Sequence, residues 1–468
     1  MLQPQTYETA SRADFYAILE RETRNGDVVL LDSQLQSHPS SGKSILFAGF
    51  DAIFRWKQHS GDMQHTGNAR QVGDPQQPGD SQQSAPAQPS ADRHQPDDSQ
   101  DSTGDPWKAL ARFREKFPGY CCGYLGYDLK NARERLHSSN PDETDLPDIW
   151  MGRPTRMYIL NEPKDVTATA GVCENDSVSI SGEPYQTSPC HVRNLRTRVT
   201  PQQYMEHVRR AQQYIREGDC YEVNLSHQLQ AEFEGSPLGL FTAMYQRGPV
   251  PFAAYLQLGD TSVCCASPER FLTRHGSQLQ SDPIKGTRPR GNTVAEDQAI
   301  LRELLDSEKE RAENLMIVDL VRNDFSRVCQ AGSVRVDRLF DIQSFATVHQ
   351  MVSRVEGRLE SDIPVEEIIA ACFPMGSMTG APKIRAMEII EELESYRRGL
   401  YSGAIGVITP EGDFSFNVVI RTAIIRQGML YYAVGGAITA DSDPAAEWEE
   451  TLVKSRALGT GINIFQPV

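Results

Sequence analysis

The spacing of apolar side chains predicts a chain that mixes strands and helices. Apolar residues alternate or run together in DVVLLDSQL and SILFAGFD near the N-terminus, which is typical of strands. The segment PWKALARFREKF has the period of a helix and leads into the glycine- and tyrosine-rich stretch GYCCGYLGYDL. Neither pattern repeats along the chain.

A helix is predicted to begin at residues 200–203, where TPQQ forms a capping-box sequence with proline at the first helical position. Gly218 is expected to end this helix. Four residues share its apolar face: Tyr204, Val208, Ala211 and Ile215. A main lobe boundary is placed just before this helix.

The residues after Gly218 alternate as expected for a half-buried strand. One side carries Tyr221, Val223, Leu225, His227 and Leu229, and the other carries Glu222, Asn224, Ser226 and Gln228. Further strands surround the PEGD and RQG turns between residues 401 and 441. Helices and antiparallel-looking strands without a βαβ rhythm favour an α+β fold.

Composition changes at about residues 59–105, a tract of Gln, Ser, Pro, Asp and Gly with almost nothing to bury. Such a tract cannot offset its ordering entropy, so we predict a disordered insertion. A second polar zone covers about residues 171–196. We therefore predict an N-terminal lobe of residues 1–196, interrupted by the insertion, and a catalytic domain of residues 197–468.

The charge and cysteine content narrow the class of protein. The net charge is −16, and no stripe of Lys and Arg interleaved with aromatic residues is present, which argues against a nucleic-acid partner. Nine cysteines without paired spacing fit a reducing compartment. The first residues lack a signal-type apolar stretch, and no apolar run approaches the ~18 residues of a membrane helix. We expect a soluble cytoplasmic protein.

Two predicted helices carry acidic side chains at helical spacing. A capping-box sequence at residues 307–310 opens a helix with Glu310 and Glu313 on one face. Asp443-Pro444 opens another, which stacks Glu447, Glu450 and Lys454. Such carboxylates ordinarily form a solvated face, and the functional alternative is a shared Mg²⁺ site, because Mg²⁺ takes one or two carboxylates, waters and an anionic substrate.

Glycine-rich segments offer backbone N–H groups to an anion. They occur in FPMGSMTGAPK, with Gly376 and Gly380, and at Gly435-Gly436, although glycines at turns are as often structural. Neither matches a P-loop or a dinucleotide fingerprint, which disfavours nucleotide and NAD enzymes. The segment PIKGTRPRG places Lys285 in a tight turn, where lysine is ordinarily a solvated charge.

From about residue 197 onward, these motifs resemble the chorismate-utilising enzymes. The segments that carry the resemblance are GDCYEVNLSHQ, SPERF, PIKGTRPRG, KERAENLMIVDLVRND, VHQMVSRVEG, FPMGSMTGAPKIRAMEIIEELE, YSGAIG, IRT, GGAITADSDP and EETLVKSRA, with a fainter echo in LLDSQLQSHP. The resemblance implies a two-lobed α+β fold of mostly antiparallel sheets packed as a sandwich with helices outside. Within the family, the PIKGT form resembles the aminodeoxychorismate synthase component I branch, whereas anthranilate synthase component I typically has alanine at the position of Lys285.

The resemblance implies that Lys285 attacks C2 of chorismate as the C4 hydroxyl departs, and that ammonia then displaces the lysine by adding at C4. Only a neutral amine can attack, so we expect the pKa of Lys285 to be lowered. Glu269 in SPERF would be the general acid and base at the C4 oxygen, which requires a raised pKa. The alternative for Glu269 is a salt bridge to Arg270.

By the same resemblance, Glu313 and Glu450 would ligate Mg²⁺ on the ring carboxylate, with Glu310 and Glu447 acting through water. Tyr401 and Arg421 would hold the enolpyruvyl carboxylate, because a guanidinium fork suits it. The other implied substrate contacts are Gly286, Thr287, Gly435, Gly436 and Ala437 from the main chain, His349 near the ring, and Lys454 as a balancing charge.

Glu222 departs from the family pattern. Relatives that use ammonia usually carry glutamine there, and relatives that use water usually carry lysine. Because glutamate lacks the positive charge of lysine, we expect ammonia as the nucleophile and expect Glu222→Gln to retain amination.

The resemblance also implies partners. No amidotransferase domain is recognisable in the sequence, so ammonia would come from solution or from a separate glutaminase subunit. A tryptophan pocket is implied at Ser33, Pro251, Phe252 and Ala253, where ordinary packing is the alternative.

Two rival functions remain at this stage. Anthranilate or isochorismate formation from the same substrate is disfavoured by Lys285, which has no covalent role in those reactions. A non-catalytic amino-acid-binding regulatory subunit is disfavoured because Lys285, Glu269, Glu313 and Glu450 are all present.

Overall fold

The computed structural model describes residues 3–33, 43–58, 97–100, 104–134, 136–161, 188–345 and 348–459. The strands of these ranges are β1 Gln5–Thr9, β2 Val28–Asp32, β3 Ser44–Trp56, β4 Asp97–Gln100, β5 Cys121–Leu125, β6 Ile149–Leu160, β7 Cys190–Thr197, β8 Glu222–Gly235, β9 Phe252–Leu258, β10 Thr261–Ser267, β11 Arg270–His275, β12 Gln278–Asp282, β13 Ile284–Pro289, β14 Arg335–Ser344, β15 Val348–Arg358, β16 Gly380–Ala381, β17 Ala404–Ile408, β18 Phe414–Asn417, β19 Thr422–Arg426 and β20 Met429–Ile438. The α-helices are α1 Arg12–Asn25, α2 Pro106–Lys116, α3 Lys130–Glu134, α4 Pro201–Glu217, α5 Pro237–Arg247, α6 Val294–Asp306, α7 Glu308–Ser326, α8 Val365–Cys372, α9 Lys383–Leu393 and α10 Pro444–Ser455. Short 3₁₀ helices cover Tyr127–Leu129, Gly376–Met378 and Arg456–Leu458.

All of these strands belong to one hydrogen-bonded sheet, and every pairing is antiparallel except β1 with β6 and β3 with β4. Strands of the N-terminal 196 residues pair with later ones, since β2 pairs with β9, β5 with β17 and β7 with β8. Backbone hydrogen bonds therefore cross the predicted boundary between residues 196 and 197, and the division at that point stays a prediction.

The sheet folds into a sandwich with helices outside. One cluster of buried side chains, including Phe47, Trp150 and Val263, comes from strands and their connections alone. Three other clusters each combine strand and helix residues, with α2, α7 and α8 in the first, α1 and α5 in the second, and α4, α9 and α10 in the third. Neighbouring residues of β2 point to opposite faces of the sheet. Val29 belongs to the cluster formed by strands and their connections, and Val28 belongs to the cluster that includes α1 and α5. The predicted fold class is confirmed.

Helix α4 forms as its sequence predicts. The Thr200 side chain accepts from the backbone N–H of Gln203, and the Gln203 side chain accepts from the N–H of Thr200, so the capping box is complete. Gly218 ends the helix at φ 87°, a conformation that favours glycine. This cap fixes the point where the chain turns into β8.

The half-buried character predicted for β8 is wrong. Both faces are buried from Glu222 to Ala231, whereas Tyr221, assigned to the apolar side, is 70% exposed. The apolar face packs under α4, α9 and α10 through Val223 and Leu225. The polar face is covered too, because Asn224 contacts the Ser377 carbonyl and Ser226 contacts the Glu394 carboxylate. Neighbouring strands β20, β7 and β16 occupy the two edges of β8.

Helices α7 and α10 begin as predicted, with Ser307 accepting from the N–H of Glu310 and Asp443 from the N–H of Ala446. The capping box at Ser307 is only half formed, because the Glu310 carboxylate accepts from Arg288 instead, at 2.9 Å.

The predicted disordered insertion lies outside the described residues, except for β4 and residues 104 and 105. Within the described ranges, no helix is long and apolar enough to cross a membrane.

Candidate active site

Lys285 forms a buried ion pair with Glu222. The lysine Nζ donates to Glu222 Oε1 at 2.5 Å, and the two side chains are 9% and 0% exposed. Glu222 is the first residue of β8, whereas Lys285 is on β13. The interpretation of Lys285 as a solvated surface charge is therefore wrong.

A bulge in β13 accompanies the inward position of Lys285. Ile284 pairs with Val352 and Thr287 with Gln350, so Lys285 and Gly286 together oppose the single residue Met351. Gly286 has φ +86°, and a Cβ there would lie 3.1 Å from Glu310 Oε2. A bulge re-aims side chains locally, and this one requires glycine beside the lysine.

The predicted lowering of the Lys285 pKa is wrong for this structure. Burial lowers the pKa of the ammonium, but the carboxylates of Glu222, Glu313 and Glu269 outweigh burial and raise it above the ordinary value. The prediction rested on the need for a neutral amine, whereas the groups that face Lys285 are acidic. Lys285 is consequently an ammonium at neutral pH in this state.

Glu269 lies between β10 and β11 and is 5% exposed. Burial raises its pKa to about 7, against the lowering effects of Ser377, Lys285 and Arg421. The cavity beside it has largely apolar walls that include Ile317, Val321, Phe325 and Met375. The alternative salt bridge does not form, because Arg270 pairs with Asp282 at 3.0 Å. Glu269 can thus hold a proton near neutral pH, as predicted for a general acid.

Ser377 contacts the acid directly and was missed in the sequence. Its hydroxyl donates to Glu269 Oε1 at 2.7 Å, and its carbonyl accepts from Asn224 Nδ2 at 3.3 Å. The residue lies in the 3₁₀ turn Gly376–Met378, in the segment FPMGSMTGAPK. The only signal was a hydroxyl side chain set between glycine and methionine in an apolar loop.

We expect Ser377→Ala to raise the pKa of Glu269 further, because the hydroxyl favours the ionised carboxylate. A hydrogen bond to a charged group is worth enough to move the titration upward by about one pH unit. Infrared titration of the carboxyl band, assigned with Glu269→Gln, measures the shift. Ser281→Ala is the matched control, since Ser281 lines the same cavity but donates to the Phe271 carbonyl. An unchanged titration in Ser377→Ala would contradict the prediction.

The acidic residues of α7 and α10 lie around the same lysine. Burial raises the pKa of Glu313 to about 7, with Lys285 opposing, and the Glu313 Oε1 atom has no hydrogen-bond partner among the described residues. Glu450 is exposed, with 53% of its side-chain surface accessible, and Lys454, Lys309 and Lys285 lower its pKa below the ordinary value. The positive charge of Lys285 therefore acts to lower the pKa of both carboxylates. Glu447 is buried and accepts from Ser442, which excludes a purely solvated face.

The fit of these residues to Mg²⁺ depends on how many protein ligands are needed. Within the described ranges, no three His, Cys, Asp or Glu side chains are placed to hold a metal ion together. Mg²⁺ typically takes one or two carboxylates and completes its shell with water and substrate oxygens. Glu313 and Glu450 suit that role, since Glu313 Oε1 makes no hydrogen bond with a described residue and lies 3.9 Å from Lys309 Nζ, whereas Glu310 is engaged by Arg288.

The paired glycines of β20 allow a close approach of main chain. Gly435 lies opposite Ser226 and Gly436 opposite Leu225, with Ala437 opposite Asn224. A Cβ on Gly435 would lie 2.4 Å from the Leu225 carbonyl oxygen, and one on Gly436 would lie 3.2 Å from Glu447 Oε2. Lys454 Nζ donates to the Gly435 carbonyl at 2.8 Å and contacts Glu450 Oε1 at 2.7 Å. Lys454 thus balances Glu450, as predicted.

Arg421 is a cation without a protein partner in the part of the chain that the structure describes: its guanidinium forms no hydrogen bond or ion pair there. Burial lowers its pKa, and Tyr432 and Glu269 act in the opposite direction. Its φ of 49° is unusual for a residue other than glycine and is a mark of functional positions. Tyr401 and Tyr432 line a small cavity whose wall also includes Thr422, the residue that follows Arg421. A half-buried guanidinium without a carboxylate partner among the described residues suits an anionic ligand.

Two of the predicted substrate contacts have other partners. His349 is buried, and its ring nitrogens contact Ser344 Oγ at 2.7 Å and Asp297 Oδ1 at 2.9 Å. Thr287 is exposed and accepts from Gln350 Nε2 at 3.4 Å. No contact in the described structure joins either side chain to Lys285 or Glu269.

The residues of the implied tryptophan pocket lie together. Asp32 pairs with Ala253, which places Ser33 at the end of the β2–β9 ladder beside Phe252 and Pro251. The backbone N–H of Ser33 donates to Ser44 Oγ at 3.2 Å. This grouping suits ordinary packing as well as a pocket.

Comparison with known proteins places the chain in a family. Residues 62–460 match the chorismate binding enzymes. Aminodeoxychorismate synthase component 1 of Salmonella typhimurium is 39% identical, with 72% of this chain and 75% of that protein covered, and aminodeoxychorismate synthase of Streptomyces griseus is 42% identical, with 72% of this chain covered. The chain spans about half the length of the Streptomyces protein, at 49%. The crystal structure of anthranilate synthase component I from Streptococcus pneumoniae superposes with a TM-score of 0.61 at 27% identity, over 73% of this chain and 81% of that one. This chain belongs to the chorismate binding enzyme family.

Proposed function

We propose that this chain aminates chorismate at C4 to give 4-amino-4-deoxychorismate. The observation that supports this most is that a buried lysine, Lys285, and a buried carboxylic acid, Glu269, lie close enough for the charge of each to shift the pKa of the other. A nucleophile and a proton donor in one enclosed site suit replacement of a ring hydroxyl through a covalent intermediate. The names of the similar Salmonella and Streptomyces proteins agree with the product.

The proposed reaction has two halves. In the first, the neutral amine of Lys285 forms a bond to C2, the ring double bonds shift, and the C4–O bond breaks as Glu269 gives its proton to the departing hydroxyl, which leaves as water. In the second, ammonia forms a bond to C4, the double bonds shift back, and the C2–N bond breaks with its electron pair returning to Lys285. The Glu269 carboxylate then takes a proton from the new ammonium.

Substrate binding would use the charges around this pair. Chorismate has two carboxylates, and Arg421 with Tyr401 would hold the one on the enolpyruvyl group. Mg²⁺, held by Glu313 and Glu450 with Glu310 and Glu447 nearby, would neutralise the ring carboxylate. The main chain at Gly435 and Gly436 would approach the substrate closely, because any side chain there would meet β8 or Glu447.

Ammonia would come from a glutaminase subunit. The similar Salmonella protein carries the name component 1, and the Streptomyces protein is about twice as long as the part matched here. Tryptophan binding at Ser33, Pro251, Phe252 and Ala253 stays a prediction. The rival reactions, anthranilate and isochorismate formation, leave the buried Lys285 without a covalent role.

We expect purified protein with chorismate, Mg²⁺ and an ammonium salt to form 4-amino-4-deoxychorismate, identified by mass spectrometry, and to lose this activity when Mg²⁺ is removed by a chelator. Ammonium salt replaces the glutaminase, so the result does not depend on a partner. Anthranilate or isochorismate as the product would contradict the proposal and reassign Lys285. Tryptophan binding without any turnover of chorismate would favour the regulatory-subunit alternative.

A further inference from the structure

The sheet positions the Glu222 carboxylate to contact the amine nitrogen of Lys285, the proposed nucleophile. Its backbone pairs with Ala381 of β16, and a Cβ on Gly380 would lie 2.1 Å from the Glu222 carbonyl oxygen. The close approach of β16 fixes the first residue of β8 against the substrate site. From this position the carboxylate reaches Lys285 Nζ at 2.5 Å.

In this chain the chemistry of Lys285 requires a base, because its amine is paired with a carboxylate where ammonia-using relatives usually carry glutamine. Lys285 donates to Glu222 in a buried ion pair, and in this pair it is an ammonium, which has no electron pair with which to attack carbon. Glu269 accepts from Ser377 and must hold a proton for the leaving hydroxyl, so it cannot also take one. Of the described side chains, Glu222 alone accepts a hydrogen bond from Nζ.

We propose that Glu222 is the catalytic base that removes the proton from Lys285. This inference rests on the proposed function and adds a residue to it. The proton passes from Nζ to Glu222 Oε1, which leaves a neutral amine and a neutral carboxylic acid. The amine electron pair then forms the bond to C2. When that bond breaks in the second half, the pair returns to Nζ, and the amine recovers its proton from Glu222.

The surroundings of Glu222 favour this transfer. Its second oxygen, Oε2, is buried and has no hydrogen-bond partner among the described residues. A buried ion pair is stable only when its remaining lone pairs are satisfied, so an incompletely bonded pair lies closer in energy to the neutral acid and amine. Departure of water when substrate fills the site strengthens this effect. Proton transfer within the pair also leaves the net charge of the site unchanged.

The other groups that face Lys285 cannot replace Glu222. They are Glu313 from α7 and Glu269 before β11, and the charge of Lys285 also lowers the pKa of Glu450 on α10. None of the three forms a hydrogen bond with Nζ in the described structure. Without Glu222 they would still attract the ammonium, and the lysine would lose its proton only to solvent.

The test follows the first half-reaction by itself. Protein is mixed with chorismate and Mg²⁺ without ammonia, quenched at successive times, and the adduct on Lys285 is measured by mass spectrometry from about pH 5 to about pH 7. The wild-type rate should be nearly independent of pH, because the proton moves within the pair. In Glu222→Gln the rate should rise about tenfold per pH unit, because the lysine must titrate against solvent. Amination would then be retained only at higher pH, which revises the sequence-based expectation for this variant.

Controls separate this inference from the proposed function and from misfolding. Glu222→Asp keeps the carboxylate and should give a slower rate with the flat wild-type profile, and Glu232→Gln makes the same change at an exposed position of β8 and should match the wild type. A flat profile in Glu222→Gln, with an adduct formed as fast as in the wild type, would overturn the inference and leave the proposed function standing. No adduct and no aminated product from the wild type would overturn the proposed function itself.

Discussion

Lys285→Ala is expected to reduce the formation of 4-amino-4-deoxychorismate by about 10³-fold or more, since removal of a covalent nucleophile typically costs at least this much. Its effect on KM should be small, because Arg421 and the metal site, not the lysine, are proposed to bind the two carboxylates. Steady-state kinetics with mass-spectrometric detection of the product measures both quantities. Lys108→Ala, at an exposed position of α2, is the control for loss of a lysine without loss of the site.

A stability effect must be separated from this loss of activity. Lys285→Ala leaves Glu222 buried without its cation, and removal of one partner from a buried pair costs about 3–5 kcal/mol of folding free energy. The double variant Lys285→Ala/Glu222→Gln removes the unpaired charge as well. We expect it to recover much of the stability measured by denaturant unfolding and none of the activity. Full activity in either variant would show that the lysine is not the nucleophile.

The sequence predicted which side chains lie near one another better than it predicted their electrostatic states. Motifs identified Lys285 and Glu269, and periodicity identified the helices that carry Glu313 and Glu450. The pairing of Lys285 with Glu222 could not be predicted, because the two residues are 63 positions apart in the chain. Lys285 lies in the bulge of β13, and Glu222 is the first residue of β8. The pKa of Lys285 depends on this pairing, and for that reason its predicted direction was wrong.

The fold shows the same division between local and long-range information. The cap of α4 and the end of that helix at Gly218 depend on neighbouring residues and were predicted correctly. Burial of the polar face of β8 depends on Ser377 and Glu394, which come from distant parts of the chain. The partner of His349 is Asp297 on α6, and no sequence pattern links these two residues.

The pH dependence of amination should report the protonation of Glu269. The acid form is the proton donor, so activity should be constant below the pKa of about 7 and fall about tenfold per pH unit above it. The sign follows from the raised pKa: a carboxyl that ionised at its ordinary value would already have lost its proton at neutral pH. The free ammonia concentration must be held constant across the series, because ammonia itself titrates with pH.

Glu269→Gln is expected to reduce amination by about 10²–10⁴-fold, the usual contribution of a general acid, and to abolish the decline above neutral pH. Loss of that decline assigns it to Glu269, because ionisation of Glu313, the proposed Mg²⁺ ligand, would favour metal binding and raise activity with pH. Glu411→Gln, an exposed position, is the matched control and should keep the wild-type profile. The Lys285 adduct separates the roles further, because it should form slowly in Glu269→Gln, where the hydroxyl departs without a proton. A variant that kept both the rate and the decline would show that another group protonates the leaving oxygen.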